Sequence, residues 1–160
     1  MAHLSAVLKG GADNEFGFAR DVFEGDALAR LREQVTEEAL NTPVIFTDNL
    51  SDRTLAALLR LRDGSCVIVV NVRFRVDPED LAHAILEEIA HSQQVLDGVD
   101  FESQQHLPYA GRPYEKQAKV LARKVLGYKP TTHHAMLRRE QPLGSLYDTP
   151  PVSGGQPATQ

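Results

Sequence analysis

The stretch EEIAHSQQ, residues 87–94, carries side chains that could bind a divalent metal ion. Glu87 and His91 are four residues apart, and side chains at this spacing share one face of a helix, with Cβ atoms about 5–6 Å apart. Glu88 lies about a quarter of a turn away. A carboxylate in that position could take a proton from a metal-bound water. The spacing therefore predicts two metal ligands with a general base beside them.

A third ligand is expected from the last predicted helix. A catalytic metal site commonly has three protein ligands and an open position for water. Glu115 lies one turn into that helix, and packing beside the first helix would place it at the height of Glu87 and His91. We therefore expect these three side chains to surround one ion. Without an ion, the crowded carboxylates would be protonated or paired with a base, and Arg112 and Lys116 are near in sequence.

The identity of residue 87 changes the expected chemistry. Zinc proteases carry the pattern H-E-x-x-H on a helix, and here Glu87 takes the place of the first histidine. An additional carboxylate donates more charge, which makes a bound ion a weaker Lewis acid. Oxygen ligands also suit Mn²⁺ or Fe²⁺ better than an imidazole-rich set does. We expect an altered divalent metal site that binds Zn²⁺ or one of these harder ions.

Other interpretations of the same residues stay open. His83 lies one turn before Glu87 and could form a shifted metal site with it, or a surface ion pair at (i, i+4) spacing. His106 lies in the loop that follows the helix and could replace the missing histidine ligand. Glu87 and His91 could also belong to a solvated helix face that binds no metal.

Polar side chains next to the predicted site could contact a substrate. The segments SQQ at 92–94 and SQQH at 103–106 place amide groups near the open end of the site, where they could bind a peptide backbone. Tyr109 and Tyr114 could supply a phenol near a developing oxyanion.

Three elements are predicted to position these residues. The run SCVIVVN, residues 65–71, is the most apolar in the chain and predicts a strand that is buried on at least one face. The segment DPEDLAHAILEEIAHSQQVL predicts a helix over 78–96, because aspartate followed by proline favours a helix start. The segment PYEKQAKVLARKVL predicts a helix over 113–126, which Gly127 closes.

The rest of the chain is expected to complete a single domain over residues 1–129. Its first 20 residues are expected to be loosely ordered. Residues 130–160 are rich in proline and glycine and are expected to form a flexible tail. The spacing of apolar residues predicts a helix over 25–41, a strand over 43–49 and a helix over 51–64 that stops at Gly64.

The composition excludes several classes of protein. The 160 residues carry a net charge of −5 from 17 basic and 22 acidic side chains, so no basic surface for nucleic acid or an anionic membrane is expected. No apolar run approaches the roughly 18 residues of a membrane helix, and the first residues lack the pattern of a signal peptide. Cys66 is the only cysteine, which excludes an intramolecular disulfide and a cysteine metal cluster. We expect a cytoplasmic protein.

The order of elements resembles the minimal core of a known fold family. A strand with CVIVVN, a helix with EEIAH, a loop and a helix with YEKQA follow one another as in the gluzincin-type zincins, including small bacterial and phage proteins of the ImmA/IrrE type. The resemblance covers about residues 65–127. It implies an α+β, zincin-like fold, in which a small mixed β-sheet packs against an active-site helix and a second ligand-bearing helix. It also implies that the strand before the helix forms the sheet edge along which a substrate peptide lies.

The resemblance further implies a role for each site residue. Glu88 matches the catalytic base, His91 the second histidine ligand and Glu115 the third ligand, while Glu87 stands where the first histidine belongs. A metal-dependent peptidase that hydrolyses peptide bonds through metal-activated water is implied. The alternative is a catalytically inactive protein of the same shape that binds a protein or peptide segment by strand addition. Either function implies a protein or peptide partner, without nucleic acid or membrane.

Overall fold

The chain folds as an α+β structure in which a four-stranded mixed sheet packs against helices. The computed structural model describes residues 14–47, 50, 54–61, 63–73 and 76–130. Within these residues, we find no helix with the length and apolarity that a membrane crossing requires. The predicted tail beyond Pro130 and most of the segment predicted to be loosely ordered at the start lie outside the described residues. The strands are β1 (Asn14–Phe18), β2 (Pro43–Thr47), β3 (Ala56–Arg60) and β4 (Cys66–Asn71), and the α-helices are α1 (Gly25–Arg32), α2 (Glu37–Leu40), α3 (Pro78–Leu96) and α4 (Pro113–Leu126).

The strand before the long helix, β4, lies inside the sheet. The strand order is β1-β2-β4-β3, with β4 parallel to β2 and antiparallel to β3. Residues 67–71 of β4 are all buried, as expected for a strand covered on both faces. The expectation that this strand forms the sheet edge is therefore wrong, because β3 pairs along its outer side and takes the edge position.

The prediction of a helix over 51–64 is wrong, because the described residues of this segment contain the strand β3. Alanine and leucine favour a helix intrinsically, but pairing with a neighbouring strand outweighs this preference. Arg60 pairs with Cys66 at the turn of a β-hairpin. In that turn Asp63 accepts hydrogen bonds from the backbone and hydroxyl of Ser65, at 2.9 and 2.6 Å, and Gly64 adopts a φ of 90°. The Asp-Gly pair therefore makes a hairpin turn between strands and does not end a helix.

The helix predicted over 25–41 is divided into α1 and α2. Thr36 starts α2, because its hydroxyl accepts a hydrogen bond from the amide of Ala39 at 3.3 Å. The amide and hydroxyl of Thr36 in turn donate to the side-chain oxygen of Gln93 on α3, at 2.8 and 2.9 Å. The break between α1 and α2 is thus fixed to the long helix.

Strand β1 was not predicted from the sequence. It pairs antiparallel with β2, and a bulge between Glu15 and Gly17 interrupts its register. Gly17 adopts a φ of 137°, and a Cβ at this position would lie 2.9 Å from the Asp21 carboxylate. That carboxylate accepts the Phe18 amide at 3.0 Å. Glycine is therefore required at this bulge of β1.

The core lies between one face of the sheet and the helices. Leu81, Ile85 and Ile89 of α3 are at most 1% exposed and pack in the same cluster as Phe46 of β2 and Ile68 of β4. Helices α3 and α4 end where the sequence predicted, at Asp97-Gly98 and at Gly127. These two helices pack against each other, and their facing turns position the ionisable side chains described next.

Candidate metal centre

A cluster of ionisable side chains is buried between α3 and α4. Each is at most 3% exposed, although burial of an ionised group without a partner is strongly unfavourable. Such a cluster needs charge pairing, a proton or a bound ion to be stable. Its members are His83, Glu87, Glu88 and His91 of α3 and Glu115 of α4.

The shortest contact across the two helices joins His91 and Glu115. The imidazole Nε2 of His91 lies 3.2 Å from the carboxylate Oε1 of Glu115. Two ligands of one tetrahedral zinc ion, bonded at about 2.0–2.1 Å, lie roughly 3.3 Å apart. The spacing of these two atoms therefore suits either a shared proton or a shared metal ion.

Gln94 sets the orientation of the His91 ring. Its amide nitrogen donates to the backbone oxygen of Tyr114 at 2.9 Å, so its side-chain oxygen faces His91 Nδ1 at 2.8 Å. This network assigns the Nδ1 proton to a bond with Gln94. The other nitrogen, Nε2, is thereby directed at Glu115, which is the arrangement found where histidine binds a metal.

The charges around His91 favour its protonated form. Burial alone lowers the pKa of His91, but the charge and hydrogen bond of Glu115, the charge of Glu88 and the hydrogen bond to Gln94 together raise this pKa from 6.5 to about 9. At neutral pH and without a metal, the ring is therefore an imidazolium that donates to Glu115. A metal ion at Nε2 would have to displace this proton.

Glu87 contacts a histidine on its own helix and a lysine on α4. Its Oε2 lies 3.0 Å from Nδ1 of His83, and its Oε1 lies 3.9 Å from the amine of Lys119. The (i, i+4) pair of His83 and Glu87 therefore forms, but in the interior and not on the surface. Lys119 is about one-third exposed and lies 4.9 Å from the centre of the Tyr109 ring.

The bases expected beside the carboxylates have other roles. Arg112 donates to the backbone oxygens of Leu107 and Gln105, at 3.1 and 3.3 Å, and so braces the loop between the helices. Lys116 is exposed. Lys119, one turn further along α4, is the base that approaches Glu87.

Tyr114 and the loop glutamines bind one another. The Tyr114 side chain is fully buried, and its hydroxyl accepts a hydrogen bond from Gln105 at 2.9 Å. The Tyr114 amide donates to Gln104 at 3.0 Å. These amide groups, which could have bound a peptide backbone, instead fix the loop. His106 is exposed.

In the positions that they occupy in the structure, the predicted ligands form only part of a metal site. In the described part of the chain, no three or more His, Cys, Asp or Glu side chains are grouped as a metal site. His91 and Glu115 have the spacing and chemistry of ligands, and Glu88 is close enough to act on the His91 charge. Glu87 lies on the same helix face but contacts His83 and Lys119.

Replacing Gln94 with leucine tests its role as the residue that orients His91. We expect the free energy of unfolding of the metal-free protein to fall by about 1–3 kcal/mol, because Nδ1 loses its buried acceptor. Urea denaturation measures this loss, and nitrogen NMR of the imidazole at neutral pH should show a changed Nδ1 signal, because the Nδ1 proton loses its acceptor. Gln34→Leu is the control, since Gln34 is a half-buried glutamine that lies between α1 and α2, outside the two helices of the cluster. An unchanged Nδ1 signal would contradict the assignment.

Fold and site together define an α+β protein with a buried histidine–carboxylate centre between two helices. Comparison of the chain with protein-family models, curated proteins and solved structures gave no match. The chemistry of the centre must therefore be inferred from its own side chains.

Proposed function

We propose that the chain is a zincin-like, metal-dependent peptidase with an altered ligand set. The observation that carries this proposal is the pair of His91 Nε2 and Glu115 Oε1 at 3.2 Å, with the Nδ1 side of the ring held by Gln94. A histidine oriented by a neighbouring side chain and facing a buried carboxylate is typical of metal-binding centres. Buried ionisable groups of this kind are also concentrated at functional sites.

The proposed ligands are His91, Glu115 and Glu87, with Glu88 as the general base. Glu87 qualifies by its chemistry and by its position one turn before His91, and it would exchange Lys119 for the ion as its cationic neighbour. A bound Zn²⁺, Mn²⁺ or Fe²⁺ would supply a Lewis acid and lower the pKa of a bound water. Glu88 would accept the proton of that water and later donate it to the leaving amine.

The edge strand β3 is the proposed binding surface for the substrate. One side of β3 pairs with β4, and the strand order leaves its other side at the edge of the described sheet. An extended peptide can add to such an edge through backbone hydrogen bonds. The packing of α3 behind β3 supports a peptide position close to the centre.

The metal content of the purified protein tests this proposal. Protein prepared without a chelator or a histidine tag is analysed by elemental mass spectrometry. We expect nearly one metal ion per chain in the wild type, and loss of this metal in His91→Ala and in Glu115→Ala. The exposed Glu102 lies in the nearby loop, so Glu102→Ala is the matched control and should keep its metal. Peptide hydrolysis would then be measured with Glu88→Gln, which should keep the metal and lose the activity.

The second candidate is an inactive protein of this shape that binds a peptide along β3. The contacts of Glu87 favour it, because Lys119 supplies a positive charge beside this carboxylate without a metal. Wild-type protein that contains no metal, even after addition of Zn²⁺ or Mn²⁺, would overturn the peptidase proposal and leave peptide binding as the function to test.

A further inference from the structure

Arg60 lies at the end of the edge strand on the side of the helices. It shares a face of β3 with Ala56 and Leu58, which belong to the core cluster beneath α3. It also pairs with Cys66 of β4, whose thiol is hydrogen-bonded to Ser92 of α3. Ser92 directly follows His91, so this series of contacts places Arg60 at the height of the candidate metal centre.

A row of aromatic rings connects Arg60 to that centre. The Arg60 guanidinium lies 5.8 Å from the centre of the Phe101 ring. Phe101 packs edge-to-face on Tyr114 at 4.8 Å, and Tyr114 packs in the same manner on His91 at 5.6 Å. Arg60 therefore lies at one end of a continuous row of packed rings, and the proposed metal ligand His91 lies at the other end.

One nitrogen of the Arg60 guanidinium has no acceptor among the described residues. In the described part of the structure, its Nε is buried and has no hydrogen-bond partner, and its side chain makes no ion pair with a carboxylate there. Buried N–H groups are nearly always satisfied, so a donor left open beside a proposed site calls for a ligand. Guanidinium stays charged and its planar fork fits a carboxylate.

We propose that Arg60 binds a carboxylate of a peptide strand that lies along β3, so that the site selects acidic peptides. This inference rests on the proposed peptide site and adds its substrate class. The net charge of −5 provides no long-range attraction for an acidic ligand, so the preference comes from direct contact with Arg60. The neighbouring Phe101 ring restricts the guanidinium and reduces the entropy lost on binding.

Peptide binding to the full chain tests the preference. The probes are fluorescein-labelled Val/Thr heptapeptides that carry one glutamate at each position in turn, each with a glutamine twin. Fluorescence anisotropy is measured with the Glu88→Gln protein, which prevents cleavage.

We expect one position at which a peptide with glutamate binds about tenfold more tightly than its twin with glutamine. Arg60→Gln should abolish this ratio and Arg60→Lys should retain part of it. The exposed Arg123 lies on α4, and Arg123→Gln is the control for loss of one positive charge.

Each other outcome overturns the inference in a distinguishable way. Peptides that bind equally well with glutamate and glutamine overturn the role of Arg60 but leave the peptide site intact. The same holds if Arg60→Gln retains the preference while its circular dichroism matches that of the wild type. If no peptide binds to the Glu88→Gln protein with Arg60 intact, both the acidic preference and the proposed peptide site are wrong.

Discussion

The free energy of unfolding of the metal-free protein is expected to fall by about 2 kcal/mol between about pH 6.5 and pH 8.5. The cause is His91, whose pKa is lowered by burial but raised more strongly by Glu115, Glu88 and Gln94, from 6.5 to about 9. The folded state therefore binds this proton more tightly than the unfolded chain. The resulting stability is fully present below about pH 6.5 and is lost as the pH rises through about 9.

Urea denaturation in the presence of EDTA, repeated across this pH range, measures the effect. The range ends below pH 9 because the Cys66 thiol, whose pKa is raised by burial from 9.0, begins to contribute above it. Glu115→Gln serves as the control, since loss of the carboxylate should flatten the pH dependence. A wild-type profile without a downward slope would show that folding does not raise the pKa of His91.

Replacement of Glu115 with alanine is expected to destabilise the metal-free protein by about 3 kcal/mol near pH 6.5. The substitution leaves His91 buried without the carboxylate that lies 3.2 Å from its Nε2. The ring can respond by releasing its proton, so the loss should be smaller at pH 8.5, where less of the stability depends on that proton. Urea denaturation at both pH values provides the measurement.

A double-mutant cycle separates the pair from the effects of side-chain size. His91→Leu, Glu115→Leu and the double variant are compared, because replacing both partners by apolar groups removes the unpaired charge that each single variant leaves. The double variant should be more stable than the sum of the single effects predicts, by more than about 1 kcal/mol. Additive effects would show that His91 and Glu115 do not interact.

The elements that carry the site could be predicted because local signals mark their ends. Proline at the first position and glycine after the last residue bound α4, and Asp77-Pro78 precedes α3. The apolar run of β4 has few alternatives to a buried strand. Strand β3 could not be identified in this way, because its alanines and leucines favour a helix and only the pairing with β4 makes it a strand.

The site itself was predicted in part. The contact of His91 with Glu115 follows from helical spacing and from the packing of two helices, both of which the sequence indicates. The pairing of Glu87 with His83 follows from the same spacing. Its contact with Lys119 does not follow, because it depends on which turn of α4 faces Glu87. Gln94 was expected at the open end, but its position three residues after His91 directs it inward.

Tyr114 joins the loop and the centre into one cooperative unit. Its backbone oxygen binds Gln94, its hydroxyl accepts from Gln105, and its ring packs on both His91 and Phe101. Opening of the loop would take Gln105 away from the Tyr114 hydroxyl and Phe101 away from its ring, and so would expose the side chain that packs on His91. Local opening of the loop is therefore expected to weaken the packing of the centre, so the free energy that keeps the loop closed also contributes to the stability of the centre.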